Sequence, residues 1–570
     1  MSRAGKDVLP LHDSSAAIDL QRVVRCPITT SPVITPMRAV EWQRLLSDYP
    51  DKSWAHRLVH DIIHGVDIGY RGSRSLQVIS PNFVTGMDEA QAVTQSLAEE
   101  VALGRIIGPF TRPPFTYYRC SPLKTVEKKG NPGKFRIIHH LSHPHHRSIN
   151  SSTLDWPCHL ARFEQAAGFV RKLGRGCYMA KLDIKAAYRA VPIRPADWPL
   201  MGMCWAGRYY FHCTLPFGLR SSCHLWERYA TAAQWIAMHY LLIQYILHYV
   251  DDFFIAARAQ DDCARHLQQF LHLLQQLGLP VAEDKTAEPN TRMAFLGIVI
   301  DSTAMTVSLD ALRLENIRTM LRTWDGRQTC SLRQLQSLIG TLSWACMVVR
   351  HGRTFIQHMQ DIAATYATIR AVRDESLIPL SADFHADVHW WPQFMSDWNG
   401  ISLLWDEQWM ETSDILQPHT DACNDGYAAV VGREWFHQRW TPEQQLAARD
   451  ASMARDSMPW KELYAIVAAA ATWGHQWARK KVIFWTDCQP VVQALQKGAS
   501  RTRRMMQLIR ILHHHAATHS FVYTVKHIAG VHNTTADELS RVFDISQLST
   551  ACRNAIDPSP IIPVLPNIHD

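Results

Sequence analysis

The spacing of apolar positions changes repeatedly along the chain, and the changes divide it. Between 176 and 300, the short apolar runs Cys177 to Asp183, Tyr209 to Thr214, Ile246 to Val250 and Phe254 to Ala257 read as strands. They alternate with stretches of helical spacing, Ser221 to Met238 and Asp262 to Leu277, which predicts an α+β unit. Ahead of it, a helix over Glu89 to Gly104 gives way to segments punctuated by Pro109, Pro113, Pro114 and Gly130 to Gly133, suited to hairpins and loops. Residues 1–90 open with a polar, mobile lead and continue as a mixed helical stretch with Trp42, Leu45, Leu46, Trp54 and Leu58. Residues 305–375 are expected to be helical, with Leu332, Leu335, Leu338, Ile339 and Leu342 forming an apolar stripe that packs against other helices. A tryptophan-rich connector (Trp390, Trp391, Trp398, Trp405, Trp409) leads to a second α/β unit. The final residues carry Pro558, Pro560, Pro563 and Pro566 and read as a loose tail.

With 570 residues, the chain exceeds what one core usually supports, so several domains are expected. The division is an N-terminal extension (1–90), a first α+β unit (91–304), a helical and connecting region (305–411), a second α/β unit (412–548) and a flexible tail (549–570). A composition of 47% hydrophobic and 19% charged residues is that of globular protein rather than disordered or fibrous chain. The net charge of +7 is modest, but its distribution is uneven. Arg119 to Arg147 holds seven basic residues against Glu127 alone, with five histidines; Arg479 to Arg510 holds eight against Asp487 alone. Such stretches are either solvated surface or tracks for a phosphate backbone. Thirteen cysteines without a CxxC pair argue against a zinc site or disulfide framework and for a reducing compartment. No signal-peptide pattern opens the chain. The apolar stretch Thr231 to Val250 contains Gln234, His239, Gln244 and His248, so a buried helix followed by a strand explains it better than a membrane span.

Chemistry concentrates where that stretch ends. Tyr249-Val-Asp-Asp252 sets two carboxylates side by side between apolar strand residues; a β-turn would hold two aspartates equally well, so the surroundings decide. Phosphoryl transfer uses two divalent ions about 4 Å apart, which want carboxylate oxygens. Asp183, ending its own apolar run, is placed to supply the third. Tyr188 could lie under an incoming sugar and exclude a 2′-hydroxyl, or be a packed tyrosine. Leu215-Pro-Phe-Gly-Leu-Arg-Ser-Ser222 is a turn opening a helix, and its free N–H groups suit a nucleotide or template. Lys128, Lys129, Lys134 and Arg136 flank a hairpin able to fold onto a triphosphate, and Lys285 could protonate a pyrophosphate leaving group. Any one of these lysines is more often plain surface than an acid catalyst.

In the second α/β unit, Asp421 lies in or beside the first hairpin, Glu462 begins an alanine-rich helix to Trp473, Asp487 ends the strand Val482 to Trp485, and Asp537 sits at the start of a helix. Each has a structural alternative: a turn aspartate, a helix-dipole partner, a strand end, a cap.

Read in order, Ser121-Pro122, Phe135-Arg-Ile-Ile138, Leu182-Asp-Ile-Lys-Ala-Ala-Tyr188, the LPFGL turn, YVDD, Glu283-Asp-Lys285 and Phe295-Leu-Gly-Ile298 resemble the reverse transcriptase motifs of retroelements. The resemblance implies a multidomain α+β, right-hand polymerase of fingers, palm and thumb, followed by a connection and an RNase H-like domain. It implies that Asp183, Asp251 and Asp252 hold two Mg2+ ions, which Mn2+ can replace, and that Tyr188 is a sugar gate. It further implies that Arg136 is a triphosphate ligand and that Phe295 to Ile298 grips the primer end. The four later acids resemble the RNase H metal site, with His527 in its mobile segment as the proton-transferring histidine and His532 as a substitute. Phe217 and Gly218 of the turn, with Lys128 and Lys129, are carried over as substrate-binding residues.

Other phrases resemble DIRS-like, tyrosine-recombinase retrotransposons: Gly65 to Tyr70, Gly108-Pro109, His139-His-Leu-Ser142 with Ser148-Ile-Asn150, Leu332 to Gly340, Gly352-Arg-Thr-Phe355, and Trp390-Trp391 with Trp398-Asn-Gly400. Arg220-Ser-Ser-Cys-His224 departs from the small residues and proline usual after the turn. The partners implied are an RNA template, a DNA primer, an RNA/DNA hybrid, dNTPs, a Gag-like protein and a separately encoded recombinase, in the cytoplasm or nucleus and without a membrane. The alternatives are the polymerase of an LTR retrotransposon or pararetrovirus, and an inactive domesticated copy that serves as a nucleic-acid-binding scaffold. Loops with His143, His145 and His146 are expected to meet phosphates rather than metal, and His513 to His515 to form an exposed helix patch.

Overall fold

A computed structural model describes residues 33–127, 133–368, 376–397, 401–404, 415–449, 457–498, 500 and 502–566. Lys128, Lys129, Gly130, Trp398, Trp405, Trp409, Arg501 and the polar lead at 1–32 lie outside the described residues. The chain divides into two compact units, one running to Asn290 apart from residues 174–176, the other from Thr291 onward with those three. The mixed α+β, multidomain class expected from the sequence is what the structure shows.

The first unit is built on a four-stranded antiparallel sheet in the order Ala287–Asn290, Tyr178–Asp183, Asp252–Ala257, Ile246–Tyr249. Apolar side chains line both faces of its central strands: Ala180, Leu182, Phe253 and Ile255 share a core with the helices Ser222–Tyr240 and Gln260–Leu277, while Met179 and Phe254 are buried on the opposite face, the helix Phe163–Leu173 packing against the strand Asp252–Ala257. The Thr231 to Val250 stretch is thus helix to Tyr240 and strand from Ile246, as its polar residues imply. Among the described residues no helix is long and apolar enough to cross a membrane.

A second sheet of five strands (Gln77–Ile79, Tyr118–Cys120, Gly202–Trp205, Arg208–His212, Ile106–Phe110) carries the helix Met87–Ala102, and the hairpin Leu123–Glu127 with Phe135–His139 stands beside it. The helices Ala39–Leu45 and Lys52–His64 belong to the same core as the four-stranded sheet. Trp42 is fully buried and its indole N–H donates to Leu277 O at 3.0 Å. Gly278, at φ +79°, is so close to the Pro36 carbonyl that no Cβ fits.

The second unit opens on the strands Arg292–Phe295, Ile298–Asp301 and Thr306–Leu309. The helical expectation from 305 is therefore corrected at its start: Thr306 to Leu309 alternates half-buried and buried positions with period two, and the helices begin at Ala311. Helices Ala311–Arg322, Leu332–Ala345, Gln357–Ala367 and Ala382–Asp397 follow, Leu335, Leu338 and Leu342 of the expected stripe being buried. The remaining sheet has the order Glu434–Arg439, Gly426–Val431, His419–Ala422, Lys481–Thr486, Val522–His527, antiparallel in its first three strands and parallel in its last two.

The alanine-rich helix starts at Met458, not at Glu462, because Ser457 caps it and Pro459 fits its first turn. Glu462 is therefore in the second turn, buried, and the helix-dipole explanation lapses. The loose tail is also corrected. Ser549 caps a helix Thr550–Ala555, Cys552 and Ile556 are buried, and the Ile561 N–H donates to Trp435 O. His513, expected on an exposed patch, is buried and bonded to Thr354 Oγ1 at 2.7 Å.

Candidate functional site

Strand register assembles the first acidic centre. Asp252 stands directly opposite Asp183 in the antiparallel pair, and the Asp251 carbonyl accepts from Ile184 N at 2.9 Å. Between the paired strands Ile246–Tyr249 and Asp252–Ala257, Val250 takes φ +56°, and the Trp226 indole N–H holds its carbonyl at 2.7 Å. The tight turn brings oxygen atoms of Asp183, Asp251 and Asp252 within 4.8 Å of one another. Burial, followed by the neighbouring carboxylates Asp251 and Asp183, pushes Asp252 up to about 6, and burial raises Asp251 too. Lys285 Nζ lies 2.9 Å from Asp183 Oδ1, and that contact raises the lysine. One buried and two half-buried carboxylates with their oxygens this close together suit hard divalent cations.

Of the residues expected to meet a nucleotide, Arg136, Lys134 and Phe217 line one cavity, and Tyr188 and Gly218 adjoin Phe217. Tyr188 packs its ring 5.3 Å from that of Phe217, and its hydroxyl, bonded to Cys223 and near Asp251, is held protonated chiefly by burial. Gly218, at φ +98°, approaches His139 O so closely that a Cβ would lie 2.7 Å from it. Asn150 clamps this turn, donating to Gly218 O at 2.8 Å and accepting from Arg220 N at 2.9 Å. Arg136 and Phe217 line one cavity of about 570 Å³ together with Lys134, Ala186, Arg189, His139 and His212. Cys158 and Cys223 approach to 3.0 Å between sulfurs, and all described cysteines are free thiols.

The second centre joins Asp421, Glu462 and Asp487, again within 4.8 Å. Glu462 accepts from Ala422 N and Thr486 Oγ1 at 3.3 Å each, and Ser540 Oγ donates to Asp421 at 2.7 Å. Burial first, then the other carboxylates, pushes Glu462 up to about 9; burial pushes Asp421 to about 7. This donor set suits divalent cations for the same reason. Asp537 stands outside the group of three: in the first turn of Thr534–Arg541 it pairs with Arg541 at 2.7 Å instead of capping. His527 is exposed with Nε2 3.1 Å from Asp487 O, and Gly530 lies against the Asp487 carboxylate. His532 ends a short 3-10 turn nearby.

Residues 126–300 match the family described as reverse transcriptase (RNA-dependent DNA polymerase). This stretch is a reverse transcriptase domain. It is of the retroviral and retrotransposon Pol polyprotein type, as similar proteins show. Polyprotein P3 of Commelina yellow mottle virus is 21% identical over 66% of this chain and 19% of its own length. The Pol polyprotein from transposon gypsy of Drosophila melanogaster is 26% identical over 32% of this chain and 17% of its own length. The Gag-Pro-Pol polyprotein of Simian retrovirus SRV-2 is 22% identical over 45% and 13%. The chain thus spans 19% or less of the length of these relatives. Among solved structures, a foamy viral protease-reverse transcriptase in complex with dsDNA is similar at 14% identity and TM-score 0.45, over 87% of this chain and 98% of that one. The complex with an RNA/DNA hybrid gives 11% and 0.39, over 90% and 86%.

Within the reverse transcriptase domain fall the first acidic centre, Arg136, Tyr188, Phe217, Gly218 and Lys285; the second centre lies beyond it. Nothing in the sequence pointed to Glu227 or Ser540; Asn150 and Gln234 stood out only as part of a short phrase and of an apolar run, without the contacts they make. His248 stood out only as a polar interruption in an apolar run.

Proposed function

We propose that this chain copies RNA and DNA templates into DNA and degrades the RNA of the resulting hybrid, replicating a DIRS-like retrotransposon. The observation that carries the reading is the pair of three-carboxylate clusters, one inside the reverse transcriptase domain and one outside it. Residues 91–304 then serve as fingers and palm, 305–411 as thumb and connection, and 412–548 as the RNase H domain.

Asp183, Asp251 and Asp252 would hold two Mg2+ ions, or Mn2+, and Asp421, Glu462 and Asp487, joined by Asp537, another two. When bound, such ions activate the attacking oxygen and neutralise charge on the leaving group. Arg136, with Lys128 and Lys129, binds the triphosphate, and the Phe217-Gly218 turn offers backbone N–H groups. Tyr188 closes the space beside the 2′ position. Lys285, carrying its proton beside Asp183, delivers it to the pyrophosphate leaving group. In the second centre His527, exposed beside Asp487, moves a proton during RNA cleavage. The partners are RNA template, DNA primer, dNTPs, a Gag-like protein and a separate recombinase, in the cytoplasm or nucleus.

Primer extension and hybrid cleavage by the purified chain test the reading: Asp251→Asn should lose synthesis and keep cleavage. Absence of both activities in Mg2+ and in Mn2+ overturns it and leaves a binding scaffold. A second reading, the polymerase of an LTR retrotransposon or pararetrovirus, draws on the 26% identity to the gypsy Pol polyprotein. Neighbouring genes separate the two: a tyrosine recombinase frame supports the first, an aspartic protease or DDE integrase the second.

A further inference from the structure

One helix, Ser222–Tyr240, touches several parts of the first centre. Its first residue, Ser222, bonds Pro216 O at 2.9 Å and so fixes the Phe217-Gly218 turn. One residue on, Cys223 meets the Tyr188 hydroxyl. Trp226 grips Val250 O at the tip of the aspartate turn. The next residue, Glu227, and Gln234 about two turns further on converge on a single side chain, His248, which immediately precedes Tyr249. His248 Nε2 lies 2.8 Å from Glu227 Oε1, and Nδ1 lies 2.6 Å from the Gln234 side-chain amide oxygen. The imidazole is 7% exposed and its ring lies 5.3 Å from Phe253, in the strand that carries Asp252.

A buried imidazole with both nitrogens engaged is costly to misplace, because any shift of the hairpin strands polar groups without water. Residues seven apart lie on one face of a helix, so Glu227 and Gln234 grip the ring from a rigid rod rather than from a loop. Apolar packing alone would let the hairpin slide; two hydrogen bonds to one ring, with the Trp226 bond on the other side of Tyr249, fix its position along the helix.

We propose that His248, clamped by Glu227 and Gln234, is a positioning residue that holds the Asp251–Asp252 turn at a set distance from the Phe217-Gly218 turn. It therefore controls how well the three carboxylates bind divalent cations. This inference rests on the polymerase reading of the first centre, but it acts on cation binding, which can be measured without synthesis.

The test uses the full chain as wild type, Glu227→Gln, His248→Asn and the double variant, each also in a Glu462→Gln background that silences the second centre. Mn2+ binding is read by calorimetry and primer extension by kcat and KM for dNTP. Each single variant should weaken Mn2+ binding about tenfold and lower kcat about 10- to 100-fold, with KM for dNTP changed by less than about threefold, as a misplacement of about 1 Å would. The double variant should do little more than either single one, since both break one contact. Hybrid cleavage, measured without the Glu462→Gln background, should change by less than about twofold, because only the first centre is disturbed. Unchanged Mn2+ affinity and kcat overturn the proposal, as does a parallel fall of melting temperature, duplex binding and hybrid cleavage, which marks a merely structural contact. A wild type that binds Mn2+ at the first centre but extends no primer overturns the polymerase reading instead, while the Mn2+ data still judge the positioning role.

Discussion

Glu462 is a carboxyl group that keeps its proton well past neutrality unless a cation arrives. In the folded chain it sits at about 9 and Asp421 at about 7, whereas unfolded they would titrate near 4. Because the folded state then binds more protons than the unfolded state, stability from these groups is complete below about pH 4 and falls as pH rises toward 9. Melting curves in EDTA and in Mg2+ should therefore diverge as pH rises from about 5 to about 9, and Glu462→Gln should narrow the gap. A gap equal at all pH values would show that the two acids do not form a cation site. Tyr188, ring to ring with Phe217, makes a second prediction at this scale. Tyr188→Ala and Tyr188→Val should raise ribonucleotide incorporation by about tenfold or more while deoxynucleotide use persists, and unchanged sugar discrimination would refute the gate.

At the scale of elements, two junctions tie distant segments to the centres. The Phe217-Gly218 turn owes its shape to Asn150, so Asn150→Ala should cost about 1–3 kcal/mol and raise KM for dNTP, measured by urea unfolding and steady-state kinetics. The phrase Gly352-Arg-Thr-Phe355 packs against the helices Ala382–Asp397 and Arg503–Thr518. Gly352 leaves room for Trp391, Phe355 stacks on Trp390 at 3.7 Å, and Thr354 bonds His513. Beneath them Asp387, fully buried, pairs with Arg510 and accepts from His358 N. Asp387→Asn should destabilise the second unit by about 3–5 kcal/mol in urea, since it leaves the guanidinium buried without a counter-charge.

These elements also show what the sequence could reveal. Asp183, Asp251 and Asp252 were legible because a strand period of two fixes which residues face one another, and a carboxylate at an apolar strand's end has few structural uses. Glu462 was legible as a residue but not in its setting, because the capping signal Ser457-Met-Pro lies upstream of the alanines that drew the helix boundary. Ser540 left no local trace, and Asn150 and Gln234 left no trace of what they bond: a polar residue that will be buried in the fold looks like one that will be solvated. The tail misled for a related reason. Its prolines break regular structure, but backbone N–H groups of Ile561 and Val564 still find acceptors on the sheet and helix beside them.

For the whole molecule, the match to the reverse transcriptase family begins at residue 126, while the core of the first unit begins with Met37 and Trp42. The family match and the packed core thus have different borders. A polypeptide cut at the borders of the likeness, 126–300, would expose the groove that Trp42 fills and the Leu277 carbonyl it satisfies, and should show no cooperative melting transition. The longer piece 33–290 should show one, and within the intact chain Trp42→Ala should cost about 3–5 kcal/mol. Were 126–300 to melt cooperatively at the temperature of the longer piece, the first helices would be an accessory. Otherwise the residues in which no chemistry can be read are the ones that let the aspartate-bearing strands hold their shape, and an aromatic ring more than eighty positions ahead of the family match belongs to the folded unit as fully as its aspartates.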